Sequence, residues 1–353
     1  MKPDAEYHVS IRFVLIKDEA WAQAGFEIAS NQLKIANNYK PGTQQNFTAP
    51  IIFTEDDSSI QLKGKNFTIA FNKTNGALSS YLQNGQEQVL APLLPHFTRP
   101  QTDNDKRGWK THRVLKQWYE ATLKLVNTTT GKFDGKKGSG IIITSIYSLI
   151  HDSALVTVSY EVYGTGLIHI NYGLEIKKGL PNIPKVGMQT GIDRSFDNIQ
   201  WYGRGPFENY IDKRYAADAG IYNFAIKDFM ENYVVPQENG NRTDVRWMYL
   251  SNPKTNNGLL IVADSLLSMS ASPYTDENIQ NAKHSNKLKD AGYITLNIDL
   301  IQMGVGGNDS WSDVAAPLEK YQIPARDYRY SFYIIPFNSK SKTGGEKAKE
   351  IKY

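Results

Sequence analysis

The 353-residue chain contains no cysteine. That absence excludes a disulfide scaffold, a cysteine-ligated zinc site and a thiol nucleophile together, and it leaves the compartment open. No apolar run approaches the roughly 18 residues that a membrane helix requires, so no membrane partner is expected. The opening Met1-Lys2-Pro3-Asp4-Ala5-Glu6 carries no apolar h-region, and no signal peptide is expected from it. Net charge is small, with 40 Lys and Arg against 36 Asp and Glu. The end from Ser339 to Tyr353 holds five lysines against two glutamates, a surplus of three out of the formal +4. The nearly neutral body that remains lacks the clustered basic surface of a nucleic-acid binder, so no nucleic-acid partner is expected. Histidine is also sparse: the six copies are scattered and form neither HxH nor HExxH, so no metal site is expected.

Aromatic residues are abundant at 12%, led by 21 tyrosines. Many sit in period-two patterns. Val156, Val158, Tyr160 and Val162 alternate with polar residues, and so do Ile168, Ile170, Tyr172, Leu174 and Ile176. Gly164-Thr165-Gly166 between them is a hairpin signal. The alternation returns at Ile294, Leu296, Ile298 and Leu300 and at Tyr328, Tyr330, Phe332 and Ile334. An all-β chain of large antiparallel sheets is expected, each with one face on a core and the other toward water or a ligand. Helical evidence is thin: Thr275 to Lys283 is one short candidate, with Thr275 or Asp276 as its cap.

Two runs mix polar and aromatic residues without period: Trp201-Tyr-Gly-Arg-Gly-Pro-Phe-Glu-Asn-Tyr210 and Val235 to Trp247. Ordering such a backbone demands a specific hydrogen-bond network. Aromatic faces suit pyranose C–H groups, while Asn, Arg and Glu suit hydroxyls, so a sugar-facing surface is one expectation. Loops whose polar side chains pin their own backbone are the other. Glu208 and Glu238 are a tempting hydrolytic pair, yet nothing in the sequence fixes the separation that glycosidic cleavage demands. Met303-Gly-Val-Gly-Gly-Asn-Asp-Ser-Trp311 lacks the Lys-Ser/Thr of a phosphate loop. It is expected to be a loop that carries Trp311 outward.

Arg99-Pro-Gln-Thr-Asp-Asn-Asp105, Trp201 to Tyr210, Pro236-Gln-Glu-Asn-Gly-Asn-Arg242 and Met303 to Trp311 occur in this order. Together they closely resemble the C-terminal, small-chain domain of the large β-galactosidases of glycoside hydrolase family 2, over about Ser59 to Asn338. The resemblance implies an all-β fold, a large antiparallel β-supersandwich of the galactose-mutarotase type. Residues 1–36 look like the closing strands of a preceding immunoglobulin-like domain, 37–58 like a linker, 59–338 like the sandwich, and 339–353 like a disordered lysine-rich tail.

The resemblance also implies an activity and a division of labour. The chain would be the noncatalytic C-terminal part of a retaining β-galactosidase acting on terminal β-D-galactosides such as lactose. The catalytic glutamates and the magnesium and sodium sites would lie in a missing TIM barrel, leaving no cofactor here. That barrel and the other parent domains are the expected partners, and a homo-oligomeric parent is compatible with the resemblance. The carbohydrate-binding residues implied by the motif are Trp311, whose ring would stack on the sugar, with Asp309 and Asn308, where Asn308 replaces an aspartate of the family motif. Thr98, in His96-Phe-Thr-Arg99, stands where the family more often has tryptophan. Glu208, Asn209, Glu238, Arg242 and Arg99 are expected as sugar-lining or framework residues, with no catalytic residue assigned. Competing readings are a stand-alone aldose epimerase, with Glu238 as base and a histidine as acid, and a free carbohydrate-binding module.

Overall fold

The computed structural model describes residues 5–35, 45–177 and 179–352. The expected linker falls partly outside the described residues, at 37–44. Strands Tyr7–Val14 and Glu27–Ile35 form a separate antiparallel hairpin, with Val9 opposite Leu33 and Phe13 opposite Ala29. Opposed residues share a face of a two-stranded ribbon. Here Val9, Ile11, Phe13 and Leu33 gather on one face and remain 42–66% exposed. Polar bonds at the hairpin's base fix it to the rest of the chain: Arg246 pairs with Glu6 at 2.8 Å, and Gln32 exchanges two hydrogen bonds with the backbone of Ala219.

The other strands, from Ile52–Glu55 to Tyr328–Asn338, join one antiparallel network that curls and closes on itself. Its register follows the alternation in the sequence. Val158 pairs with Tyr172 and Tyr160 with Ile170, and on the next strand Tyr330 and Phe332 continue the same rows. All six side chains are buried, and burial of each large apolar group contributes about 1.5–3 kcal/mol. Gly166 closes the hairpin at φ +92°, and its carbonyl accepts a hydrogen bond from the buried Tyr81 hydroxyl. A Cβ there would lie 2.8 Å from that hydroxyl oxygen. Conformation and space therefore both favour glycine. The short helix Asp276–Asn281 forms with Thr275 as its cap, the Thr275 hydroxyl accepting from Asn278 N.

Three features depart from expectation. Ile52–Glu55 is a strand paired with Ser59–Lys63, so the sandwich begins inside the segment expected as linker. The tail is ordered through helix Gly344–Lys352 rather than disordered. Ala348 and Ile351, three residues apart and hence on one helical face, bury themselves in a cluster with Trp247, Tyr249 and Leu260. That contact outweighs the lysine-rich composition. Finally, strand Tyr293–Gln302 does not turn its polar face to water: Thr295, Asn297 and Asp299 are buried along with Ile294, Leu296 and Ile298.

One partly buried charge is expected to make the fold sensitive to alkali. His169 lies directly across from Glu161 and Tyr333 on its neighbouring strands. Its Nδ1 is 3.0 Å from Glu161 and its Nε2 2.7 Å from Asp264, with the ring stacked on Tyr333. Burial opposes the charged form, but the hydrogen bonds to Asp264 and Glu161 outweigh it and push the imidazole up to about 9. A raised basic pKa gives stability that is fully present below the unfolded value near 6.5 and lost as pH rises through the folded one. The expected outcome is that His169→Gln costs about 2–3 kcal/mol at pH 6 and much less at pH 10. Urea unfolding of both proteins across that range measures it, and a pH-independent difference would refute the assignment.

Candidate functional site

The four motif segments converge at one end of the sandwich, and Arg99 is the hub. It is fully buried and spends its guanidinium on four neighbours. Nε and Nη2 grip both oxygens of Asp105 at 3.0–3.2 Å. Nη1 donates to Gln302 Oε1 and to Met303 O, and Nη2 donates to Gly304 O. A planar fork with five N–H donors suits such a divergent set. The result ties the start of the 303–316 loop to the turn of π-helix Asn104–Trp109.

Gln302 carries the network onward, donating from Nε2 to Glu238 Oε1 at 3.3 Å; the Tyr210 hydroxyl donates to the same oxygen at 3.2 Å. Burial raises Glu238 to about 7, although Arg99 and Lys185 pull it the other way. Glu208 is bonded quite differently. It accepts from Lys213 Nζ, the Tyr233 hydroxyl and Gly240 N at 2.6–2.9 Å. Asn209 accepts from both Thr243 N and its hydroxyl, and donates to Phe207 O. Arg242 donates to the carbonyls of Asn241 and Phe229 and lies over the Phe229 ring at 4.2 Å. Arg99, Glu208, Asn209 and Arg242 thus bond to backbone and to neighbouring side chains, although Arg242 Nε has no hydrogen-bond partner among the described residues.

Trp311 differs from all of these: it is 75% exposed, on a loop held from three directions. Asp309 accepts from Trp311 N, Ser312 N and the Ser312 hydroxyl, which fixes the tight turn under the indole. Those hydrogen bonds, led by the Ser312 side chain, lower its pKa. Asn104 Nδ2 donates to both Asp309 O and Ala315 O, and Asn308 N donates to Val314 O. Asp212 Oδ2 accepts from Val305 N and Gly306 N at 2.9 and 2.7 Å. Gly307 lets the loop close, since a Cβ there would lie 2.2 Å from Ala315 O. Asp309 positions the ring, while Asn308 joins the loop through its backbone.

Several members of this arrangement escape sequence reasoning. Asp212 and Gln302 flank quoted motifs without period or spacing to mark them, and Asn104, Asp105 and Tyr210 lie inside motifs without an evident role. Beneath them runs a buried polar seam. Lys185 Nζ donates to Asn297 Oδ1 at 2.8 Å and sits 3.7 Å from Asp299. Gln189 Nε2 donates to Asn297 and Asp276, and His96 Nε2 stands 3.7 Å from Asp276. Burial drives Asp299 up to about 8, opposed by Lys185 and reinforced by Glu238 and Asp276. Burial likewise holds His96 well below its ordinary value, aided by the Lys185 charge. Among the described residues, no three His, Asp or Glu side chains gather as a metal site.

Comparison with known proteins places the sequence in a family. Residues 63–334 match the family described as beta galactosidase small chain. A β-galactosidase of Priestia megaterium is 32% identical over 334 residues, 94% of this chain and 32% of that protein. One from Halalkalibacterium halodurans is 30% identical, covering 95% of this chain and 33% of its own length. The chain therefore spans about a third of the length of the curated relatives it matches. Among solved structures, a galactose mutarotase related enzyme from Lactobacillus acidophilus aligns with 83% of this chain and 99% of its own, at 9% identity and a TM-score of 0.42. With most of its sandwich inside the matched region, the chain belongs to the β-galactosidase small-chain family.

Proposed function

We propose that this chain is the noncatalytic C-terminal part of a retaining β-galactosidase that hydrolyses terminal β-D-galactosides such as lactose, and that it presents Trp311 to the sugar. The observation that carries this is the contrast within the site. The indole stands in solvent on a loop immobilised by Asp309, Asn104 and Asp212, while Glu208 accepts three framework donors. A rigid, exposed ring costs little ordering on binding and offers a broad apolar face to a pyranose. The exposed apolar face of the hairpin supports attachment to a larger body. Catalytic carboxylates and the magnesium and sodium sites belong, in this proposal, to that larger body.

Two outcomes test it. The purified chain is expected to leave a chromogenic β-galactoside unhydrolysed and not to accelerate mutarotation of galactose. Turnover would overturn the division of labour, and accelerated mutarotation would favour an epimerase using Glu238. In the complete enzyme, Trp311→Ala is expected to raise KM about tenfold with kcat little changed, the signature of lost uniform binding. A fall in kcat at constant KM would place the ring in transition-state stabilisation instead.

A further inference from the structure

Away from Trp311, the 226–240 segment and the 273–290 segment face each other across a cleft of about 810 Å³. Both walls are built and held. On one, the Tyr233 hydroxyl donates to Glu208, and Asn239 accepts from Glu231 N while donating to Gln237 O. On the other, Tyr274 N donates to the Ser272 hydroxyl, and Asn278, within the capped helix Asp276–Asn281, accepts from Lys289 N. Arg194, also on the lining, pairs with Asp290 at 2.8 Å.

The lining has a definite chemistry. Tyr233 and Tyr274 bring aromatic surface from opposite walls, which also carry the polar Asn232, Ser285 and Asn286 and the apolar Met230, Pro236 and Leu288. The charges nearly cancel, since Arg194 and Lys227 meet Asp197, Glu231 and Asp290, and Arg194 is already engaged by two of those acids. An anion would meet three acids against two cations, and a strongly apolar ligand would strip water from amides without replacing it. A neutral polyhydroxylated molecule meets both demands: C–H faces for the tyrosines, hydroxyls for the amides. The volume admits more than one hexose ring. We infer that this cleft is a second carbohydrate site, distinct from the Trp311 platform, that takes a neutral oligosaccharide.

The test is calorimetric titration of the chain with lactose and with β-1,4-galactobiose, alongside three variants checked for folding by circular dichroism. Tyr274→Ala is expected to weaken binding at least about tenfold and Asn286→Ala several-fold, and both sugars are still expected to bind Trp311→Ala through the cleft. Asn286 is on the surface, so its variant keeps the test valid should Tyr274→Ala fail to fold. Absence of binding to either sugar would overturn the inference. Binding that is lost in Trp311→Ala and kept in the cleft variants would do the same, and would leave the platform proposal standing.

Discussion

Arg99→Met is expected to lower the unfolding free energy by about 3–5 kcal/mol, because it leaves Asp105 as a buried carboxylate without its counter-charge. The loss extends beyond that pair. Gln302 Oε1, Met303 O and Gly304 O also lose their donors, in a place where Arg99 is fully shielded from water. Since two of those acceptors begin the loop that carries Trp311, the substitution should also free that loop. Urea unfolding measures the first effect, and limited proteolysis within 303–316 at concentrations of urea well below the transition measures the second. Arg99→Lys should fall between wild type and Arg99→Met: it restores a charge beside Asp105 but lacks the fork needed to reach the three loop acceptors as well. A loss below about 1 kcal/mol for Arg99→Met would mean that water or a rearranged side chain replaces the guanidinium, and Arg99 would not be the hub.

This dependence on distant partners explains what the sequence could and could not reveal. Alternation at Val156 to Val162 and Ile168 to Ile176 placed the buried rows correctly, since period two is a local signal that registers core contact directly. Trp311 was legible for a similar reason, its glycine-rich acidic surroundings being a local signature of an outward loop. The roles of Glu208 and Glu238 were not legible. The same residue type is fully satisfied by Lys213, Tyr233 and Gly240 in one case and driven up to about 7 by burial in the other, and only the folded chain decides which. The helix Gly344–Lys352 was hidden by its composition, in which three lysines mask the single apolar stripe of Ala348 and Ile351. The seam was hidden by the alternation itself. In Tyr293–Gln302 the polar residues between Ile294, Leu296 and Ile298 read as solvent-facing, whereas Asn297 and Asp299 point to Lys185 inside the molecule.

Lys185→Met should expose that seam as a pH-dependent defect, costing about 3–5 kcal/mol at pH 9 and far less at pH 5. The sign comes from Asp299. Its folded pKa, raised to about 8, lies above the ordinary carboxylate value. The fold therefore takes up a proton there, and the stability linked to it is present below the unfolded value and lost as pH rises through about 8. At pH 5 Asp299 is neutral and needs no counter-charge, so removing the ammonium chiefly costs the hydrogen bond to Asn297. At pH 9 wild type holds a charged pair, while the variant must either keep the acid protonated against the pH or bury an unpaired carboxylate. No second donor is already in place, because neither Asp299 oxygen has a hydrogen-bond partner among the described residues. Adding Asp299→Leu to Lys185→Met should recover most of the loss at pH 9, since a pair replaced together by apolar groups leaves no orphaned charge. Equal deficits at pH 5 and pH 9, or a double variant no more stable than Lys185→Met at pH 9, would show that Lys185 acts through packing and that Asp299 is not its dependent.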